Sequence, residues 1–297
     1  MKRVWQTSIK MTAGLLLAAM YAMPQTPTSI SARPGAINYI EGRAALNGQD
    51  LPAQASGQTF LNAEDRLSTT GGKAEVLLTP GVFLRIGDNS EIRMVSPTLT
   101  KTQVELTRGE AVVEVAQLVN GNDIQMLNHG AFIKFEKTGL YKVNADGIPS
   151  AAVVDGKIRV FNGNQSVEFG KGHQTVVAEN LKVDKFDTKA QDDLYAWSSV
   201  RSQYDANASY AAARVLGPGA TYGSGWFWNA GFNSYAWFPG AGYAYSPFGW
   251  PFYGPAYIGY APFYGIRPAR VYVPINRAPA FHSAAGARAG FAHGGHR

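Results

Sequence analysis

The sequence predicts a mainly β protein, an antiparallel sandwich or roll followed by one long α-helix and a low-complexity, disordered tail. Three features of the 297-residue chain support this prediction. Apolar and polar residues alternate over residues 36–183, a run with helical spacing follows, and charged residues are absent from 215 to 266. The chain is long enough for one or two domains with a buried core.

Residues 1–32 have the composition of a signal peptide. Lys2, Arg3 and Lys10 precede the apolar run 13–22, which is too short to cross a bilayer. Small residues allow cleavage near Ala22 or Ala32. We therefore expect an exported protein, in the periplasm or associated with the outer membrane or cell surface, with an uncleaved membrane anchor as the alternative.

The net charge of +6 does not indicate a nucleic-acid partner. The chain has 27 basic and 21 acidic residues, but six arginines and no acid follow Asp205. Basic and acidic residues therefore balance over the rest of the chain. The excess comes from the C-terminal end, so we expect no nucleic-acid-binding face in the β region.

Alternation predicts the strands of a β domain at residues 36–186. Val82, Leu84 and Ile86 share one face of a strand, and Phe83 and Arg85 share the other. The turn residues Gly-Asp-Asn-Ser at 87–90 predict a hairpin to a second strand beginning at residue 91. Further strands are predicted at 74–78, 104–106, 111–115, 133–135 and 167–169.

A glycine between two polar residues precedes three of the predicted strands. These glycines are Gly42, Gly109 and Gly156. Their spacing is unequal, which argues against a strict solenoid repeat. A common turn-to-strand pattern is the simpler interpretation.

One amphipathic helix is predicted at residues 187–216. Asp187 or Thr188 is suited to cap it, and Gly-Pro-Gly at 217–219 ends it. Apolar residues recur at spacings of three and four, at Leu194, Trp197, Val200, Tyr204, Ala208, Ala211 and Val215. We expect this stripe to pack on the β domain, with partner binding as the alternative.

Residues 217–297 form a tail rich in glycine, proline and aromatic residues, with a basic end. Frequent glycine and proline disfavour both a helix and a continuous β ladder. Exposed rings would be free to stack on sugars, on each other or under arginine side chains. The candidate binding residues are the tryptophans of this tract, Trp226, Trp228, Trp237 and Trp250.

No catalytic or cofactor motif is recognisable in the sequence. Gly170–Thr175 lacks the spacing of a phosphate loop and is interpreted as a turn between strands. Asp192 and Asp193 suit the first turn of the helix better than a pair of catalytic carboxylates. The histidines are isolated or, as His282, His293 and His296, lie in the terminal tract without a carboxylate or cysteine to complete a metal site. We expect no enzymatic activity, no cofactor and no metal.

Three segments resemble the FecR domain family: residues 67–78, 81–90 and 104–115. They contain a threonine-glycine step, an apolar strand, a glycine-x-asparagine-serine turn and a strand that ends at a glycine. The resemblance covers residues 36–115 best. It implies an exported β domain that works by protein contact in the cell envelope. In well-known members the periplasmic part receives a signal from a TonB-dependent receptor, and a cytoplasmic segment controls a sigma factor.

Three functions remain open at this level. Only residues 1–12 precede the apolar run, so our first hypothesis is a non-enzymatic envelope protein. Its β domain would bind or scaffold an envelope protein or polysaccharide, and its tail would attach it to the envelope or to other copies. The alternatives are a regulator of sigma-factor signalling with a TonB-dependent receptor, and a secreted polysaccharide-binding module.

Overall fold

A computed structural model of the chain describes residues 32–178, 180–218, 222–240 and 242–260. Nearly all of the predicted signal peptide and the basic end of the tail, with its three histidines, lie outside the described residues. Within the described part, no helix is both long and apolar enough to cross a membrane.

In the described residues, fifteen strands precede the helix and four short strands follow it. The first group is β1 (Ala36–Leu46), β2 (Gln49–Asp50), β3 (Arg66–Leu77), β4 (Val82–Ile86), β5 (Glu91–Pro97), β6 (Lys101–Arg108), β7 (Glu110–Val115), β8 (Asp123–Asn128), β9 (Ala131–Phe135), β10 (Gly139–Asn144), β11 (Ser150–Asp155), β12 (Lys157–Asn162), β13 (Gln165–Gly170), β14 (His173–Val176) and β15 (Val183–Lys185). The remaining elements are α1 (Asp193–Leu216), β16 (Ser224–Asn229), β17 (Ser234–Pro239), β18 (Tyr243–Tyr245), β19 (Pro251–Tyr253) and two 3₁₀ turns at Ala53–Ala55 and Pro255–Tyr260.

The first fifteen strands form one continuous sheet. Its order is β13-β12-β9-β8-β6-β5-β3-β4-β7-β10-β11-β14-β15, and β1 pairs with β3 and β2. The pairings are antiparallel except for the parallel pair β6 and β8. The long strand β3 joins the two halves, since its first residues pair with β5 and its last residues with β4.

The sheet folds over so that both halves share one hydrophobic core. Ile92, Val104 and Ile133 come from one half, and Leu84 and Val113 come from the other. All five side chains are fully buried. A folded-over, mostly antiparallel sheet agrees with the predicted sandwich or roll. The predicted strands are all present. The turn predicted at Gly170–Thr175 is shorter in the structure, because only residues 171 and 172 connect β13 to β14 and His173–Val176 is a strand.

The predicted hairpin at residues 87–90 is wrong. β4 pairs with β3 and β7, whereas β5 pairs with β3 and β6. The turn instead carries the chain from one half of the sheet to the other, along β3. Turn residues predict a change of direction, but they do not fix which strands pair across it.

The helix is confirmed, but its start and its buried face differ from the prediction. It begins at Asp193 and is capped by the Asp192 carboxylate, which accepts a hydrogen bond from the Tyr195 amide at 2.8 Å. Val200 and Val215, two members of the predicted stripe, are 63% and 56% exposed. The buried face is mostly small or polar, and includes Ser198, Arg201, Ser202, Asp205, Ser209 and Ala212.

The prediction of a disordered tail is wrong for residues 222–240 and 242–260. β16 pairs with β17, and β18 pairs with β19, as two short antiparallel ladders. Pro239 and Pro251 lie at strand ends, and Gly240 and Gly249 lie outside the strands with positive φ, so none of them interrupts a ladder. Aromatic side chains of these ladders pack on the outer face of the large sheet, and that burial accounts for their order.

Candidate functional site: the covered and open faces of the β domain

The outer face of β3, β4 and β7 carries charged side chains that are buried under α1. Alternation along β4 turns Val82, Leu84 and Ile86 to the core and Phe83 and Arg85 to this outer face, as predicted. Arg85 is fully buried. We call the five ionisable residues that meet here the charge cluster: Glu75, Arg85, Glu114, Arg201 and Asp205.

Arg85 is the centre of the charge cluster. Its Nε lies 2.7 Å from Oε2 of Glu75, its Nη1 lies 2.6 Å from Oε2 of Glu114, and its Nη2 lies 3.0 Å from Oδ2 of Asp205. One planar guanidinium thus donates to three carboxylates, a geometry that lysine cannot reproduce. Two of these carboxylates belong to the sheet, and the third belongs to α1.

A second arginine and two serines extend the hydrogen bonding, although Nε of Arg201 is buried without a partner among the described residues. Nη2 of Arg201 lies 2.9 Å from both Glu75 and Asp205, and its guanidinium stacks over the Tyr39 ring at 4.1 Å. The hydroxyls of Ser202 and Ser246 donate to Oε1 of Glu114 at 2.8 and 2.5 Å. Ser246 follows β18, so the strands after the helix also take part.

Burial and charge act in opposite directions on the carboxyl groups of the cluster. Burial, followed by the charge of Glu75, holds the pKa of Asp205 well above its usual value. Burial alone would raise the pKa of Glu75 too, but Arg201 and Arg85 outweigh it and the pKa of Glu75 is lowered. Three carboxylates face two guanidiniums, so a proton kept on Asp205 would bring the net charge of the cluster to zero.

The charge cluster has a structural role, because it connects separate elements of the protein. Each of its side chains is at most 6% exposed, so a substrate in solution has no path to them in this conformation. The cluster joins the β domain, α1 and the segment after β18 by charge-assisted hydrogen bonds. It therefore fixes the position of the helix on the sheet.

The residues of the FecR-like segments also hold parts of the sheet together by hydrogen bonds. The hydroxyl of Thr69 donates to the carbonyl of Gly87 at 2.6 Å and accepts from the amide of Ser90 at 3.1 Å. The amide of Glu110 donates to the hydroxyl of Ser90 at 3.0 Å. Gly109 has a φ of 76°, and a Cβ there would lie 2.2 Å from Oγ of Ser90. The motif residues thus hold the crossing between the two halves of the sheet.

The four candidate tryptophans fall into two groups. Trp226 and Trp237 are buried against Phe83, with ring centroids 5.1 and 6.5 Å away. Trp228 packs on Tyr235 at 5.2 Å and is partly exposed, as is Trp250. Ligand binding by these four residues stays a prediction, and their burial restricts surface contact to Trp228 and Trp250.

An exposed tyrosine cluster was missed at the sequence level. We call Tyr243, Tyr245, Tyr257 and Tyr260 the tyrosine patch. Neighbouring ring centroids lie 5.7 Å apart for Tyr245 and Tyr243, 4.9 Å for Tyr243 and Tyr257, and 5.6 Å for Tyr257 and Tyr260. The signal was present as tyrosines two and three residues apart, but only the pairing of β18 with β19 brings the two pairs together.

The solvent side of β8, β9 and β12 is the open face of the β domain. Phe132 lies directly opposite Phe161 on β12 and Leu127 on β8, so the three side chains form a row. Phe132 is 41% and Phe161 37% exposed. The next row holds Lys134 and Arg159, whose ion pairs with Asp123 and Glu136 both span 3.2 Å. An apolar row beside charged residues has the composition of a protein-contact surface.

The described residues include no group of three or more potential metal ligands. Nδ1 of His129 lies 2.9 Å from Oδ1 of Asn128, in the turn between β8 and β9. His173 begins β14, and its Nδ1 lies 3.1 Å from the carbonyl oxygen of Lys171. The two histidines therefore lie apart, one in the β8–β9 turn and the other in β14.

Together these features define a mainly β protein. Its sheet is covered by α1 and the later strands over β3, β4 and β7, and is exposed to solvent over β8, β9 and β12. Residues 65–159 match the sequence model of the FecR protein family, so this part of the chain is a FecR domain. The match begins and ends later than the range 36–115 in which the resemblance is best. It includes β3 to β11, with Glu75, Arg85 and Glu114, and most of the open face.

Two crystal structures of a candidate anti-sigma factor from Parabacteroides distasonis, at 2.50 and 1.65 Å resolution, are similar to this chain. Each is 20% identical and aligns with a TM-score of 0.36, over 46% of this chain and 64% of the other. The alignment thus spans less than two thirds of that protein. No curated protein matches the chain.

Proposed function

We propose that this protein is an exported, non-catalytic regulator of sigma-factor signalling that acts by protein contact in the cell envelope. The FecR domain at residues 65–159 is the observation that carries the proposal. Its partner would be a protein of the signalling pathway, such as a TonB-dependent receptor. The protein uses no cofactor for this role, because recognition needs only a shaped surface.

The open face is the contact surface that we propose for this partner. It belongs largely to the FecR domain, and it presents Leu127, Phe132 and Phe161 to solvent beside charged side chains. The opposite face of the domain is already covered by α1 and the strands after it. Exposed aromatic residues at the centre of an interface commonly supply much of its affinity.

Deletion of the chromosomal gene, and its replacement by genes for two variants, test this proposal. We expect deletion to change transcription of a set of genes controlled by one sigma factor. Phe132→Thr with Phe161→Thr should reproduce the change in the same genes, because threonine keeps β propensity but removes the rings. Val200→Thr, at a 63% exposed site on α1, is the matched control and should leave transcription unchanged. Unaltered transcription in the deletion strain would contradict the proposal.

A binding or scaffolding role in the envelope is the second candidate. The exposed tyrosine patch favours it, since this surface lies outside the FecR domain. In that case Tyr245→Ala with Tyr260→Ala would lose an envelope partner in cross-linking experiments, while transcription in the deletion strain would stay at the wild-type level.

A further inference from the structure

The tyrosine patch is a continuous aromatic surface on the outside of the protein. Tyr243, Tyr245 and Tyr260 are 49%, 60% and 78% exposed. Tyr257 is half-buried between Tyr243 and Tyr260. The rings contact one another in the order Tyr245, Tyr243, Tyr257 and Tyr260.

The patch is held on a rigid support. Phe252 of β19 is fully buried, with its ring 4.9 Å from Trp237 and 5.9 Å from Phe83. Tyr243 pairs directly with Tyr253 of the same strand. The amide of Tyr257 donates to the carbonyl of Gly254 at 3.0 Å, which fixes the 3₁₀ turn that carries Tyr257 and Tyr260. A surface held in place loses little conformational entropy on binding.

The chemistry of the patch favours an uncharged ligand. No acidic, basic or histidine residue occurs between positions 215 and 266 of the sequence. The patch therefore offers ring faces and phenol groups, which give apolar contact and hydrogen bonds but no ion pair. An ionic polymer would find no counter-charge on this segment of the chain.

We propose that the tyrosine patch binds a neutral polysaccharide. The apolar faces of pyranose rings stack on aromatic rings, and sugar hydroxyls exchange hydrogen bonds with phenols. Tyr245 and Tyr260 lie at the two ends of the chain of contacting rings and are the most exposed of the four, so they offer the most surface to a sugar ring. This site lies outside the FecR domain and does not depend on the proposed regulatory function.

Calorimetric titration of the full chain with neutral oligosaccharides tests the proposal. The probes are hexamers of cellulose, xylan, mannan, amylose and chitin, with an oligogalacturonate as the acidic comparison. We expect binding to at least one neutral hexamer, weaker binding of its dimer and no binding of the oligogalacturonate. Tyr245→Ala with Tyr260→Ala should reduce affinity by roughly tenfold or more, because two stacking contacts are lost.

The open-face variant, Phe132→Thr with Phe161→Thr, is the control and should bind the sugar as the wild type does. It also separates the two proposals, because it is expected to disturb signalling alone. Equal affinity of the tyrosine variant and the wild type would overturn the inference. So would failure of every neutral hexamer, or binding of a proline-rich peptide to the same tyrosines in place of a sugar.

Discussion

At the scale of single residues, Arg85 contributes most to the arrangement of the molecule. It is fully buried and donates to three carboxylates. Burying such a group is unfavourable unless each charge has a partner, so its effect depends on the whole cluster. The sequence predicted that Arg85 lies on the outer face of β4. It did not predict burial there, because alternation alone does not show what covers a face.

Arg85→Met tests the importance of this pairing. The substitution leaves Glu75, Glu114 and Asp205 buried with one guanidinium, so we expect the free energy of unfolding to fall by about 3–5 kcal/mol. Arg66→Met is the control, because Arg66 pairs with Glu91 at 2.8 Å but is 51% exposed. It should cost about 1 kcal/mol or less. Urea unfolding measures both, and equal losses would contradict the role of the cluster.

At the scale of elements, the helix shows where periodicity misleads. The spacing of its apolar residues predicted a helix, and the helix is present at Asp193–Leu216. The predicted stripe was nevertheless wrong at Val200 and Val215, which face solvent. Valine is buried more often than serine or arginine. In α1 the opposite holds: Ser202 and Arg201 are buried because they donate hydrogen bonds to Glu114 and Glu75 of the sheet, and Val200 is exposed.

Tyr141 illustrates how one side chain holds neighbouring strands together. Its ring is fully buried in the core, its hydroxyl donates to the carbonyl of Lys137 at 2.6 Å, and it accepts from the amide of Lys157 at 3.1 Å. The hydroxyl therefore ties the connection before β10 to the first residue of β12. Burial raises the pKa of Tyr141 from 10.0 to about 12.

This raised pKa predicts a loss of stability at alkaline pH. Below pH 10 the hydroxyl keeps its proton in both states, and stability is unaffected by its titration. As the pH rises from 10 towards 12, the unfolded state loses the proton first, so the free energy of unfolding should fall, by up to about 2–3 kcal/mol.

Tyr141→Phe is the matched control for this effect. It should cost about 1 kcal/mol at neutral pH, for the lost hydrogen bonds, and show a smaller decline in stability between pH 10 and 12. The measurement is chemical unfolding at several pH values. Identical alkaline slopes for the two proteins would refute the assignment to Tyr141.

At the scale of the whole molecule, the FecR domain and the segments after it should unfold together. The five tryptophans that the structure describes all follow β15, so their fluorescence reports the helix and the aromatic ladders. Far-ultraviolet circular dichroism reports mainly the large sheet. Because the charge cluster and the rings around Phe83 join these parts, we expect the two thermal transitions to coincide. Separate transitions would show that the cover detaches before the sheet unfolds.

The sequence predicted the strands well but not which of their faces are covered, for one physical reason. Alternation is local, so it located β4 and β7 and their two faces. Which strands pair, and what covers an outer face, depends on contacts between distant residues, such as Arg85 with Asp205. Trp226 and Trp237 were expected to be exposed, because glycine and proline surround them in the sequence. In the structure their rings are buried with Phe83 in a second hydrophobic core.

The buried charges on the sheet also have a consequence for the folding of the chain. The strands of the large sheet precede α1 in the chain, so their outer face is exposed to water until α1 and the segments after it pack there. Glu75, Arg85 and Glu114 keep part of that exposed face hydrated, which disfavours association between incompletely folded chains. Apolar residues at these three positions could stabilise the folded protein more than the charges do, but they would leave an apolar surface that promotes aggregation before α1 packs.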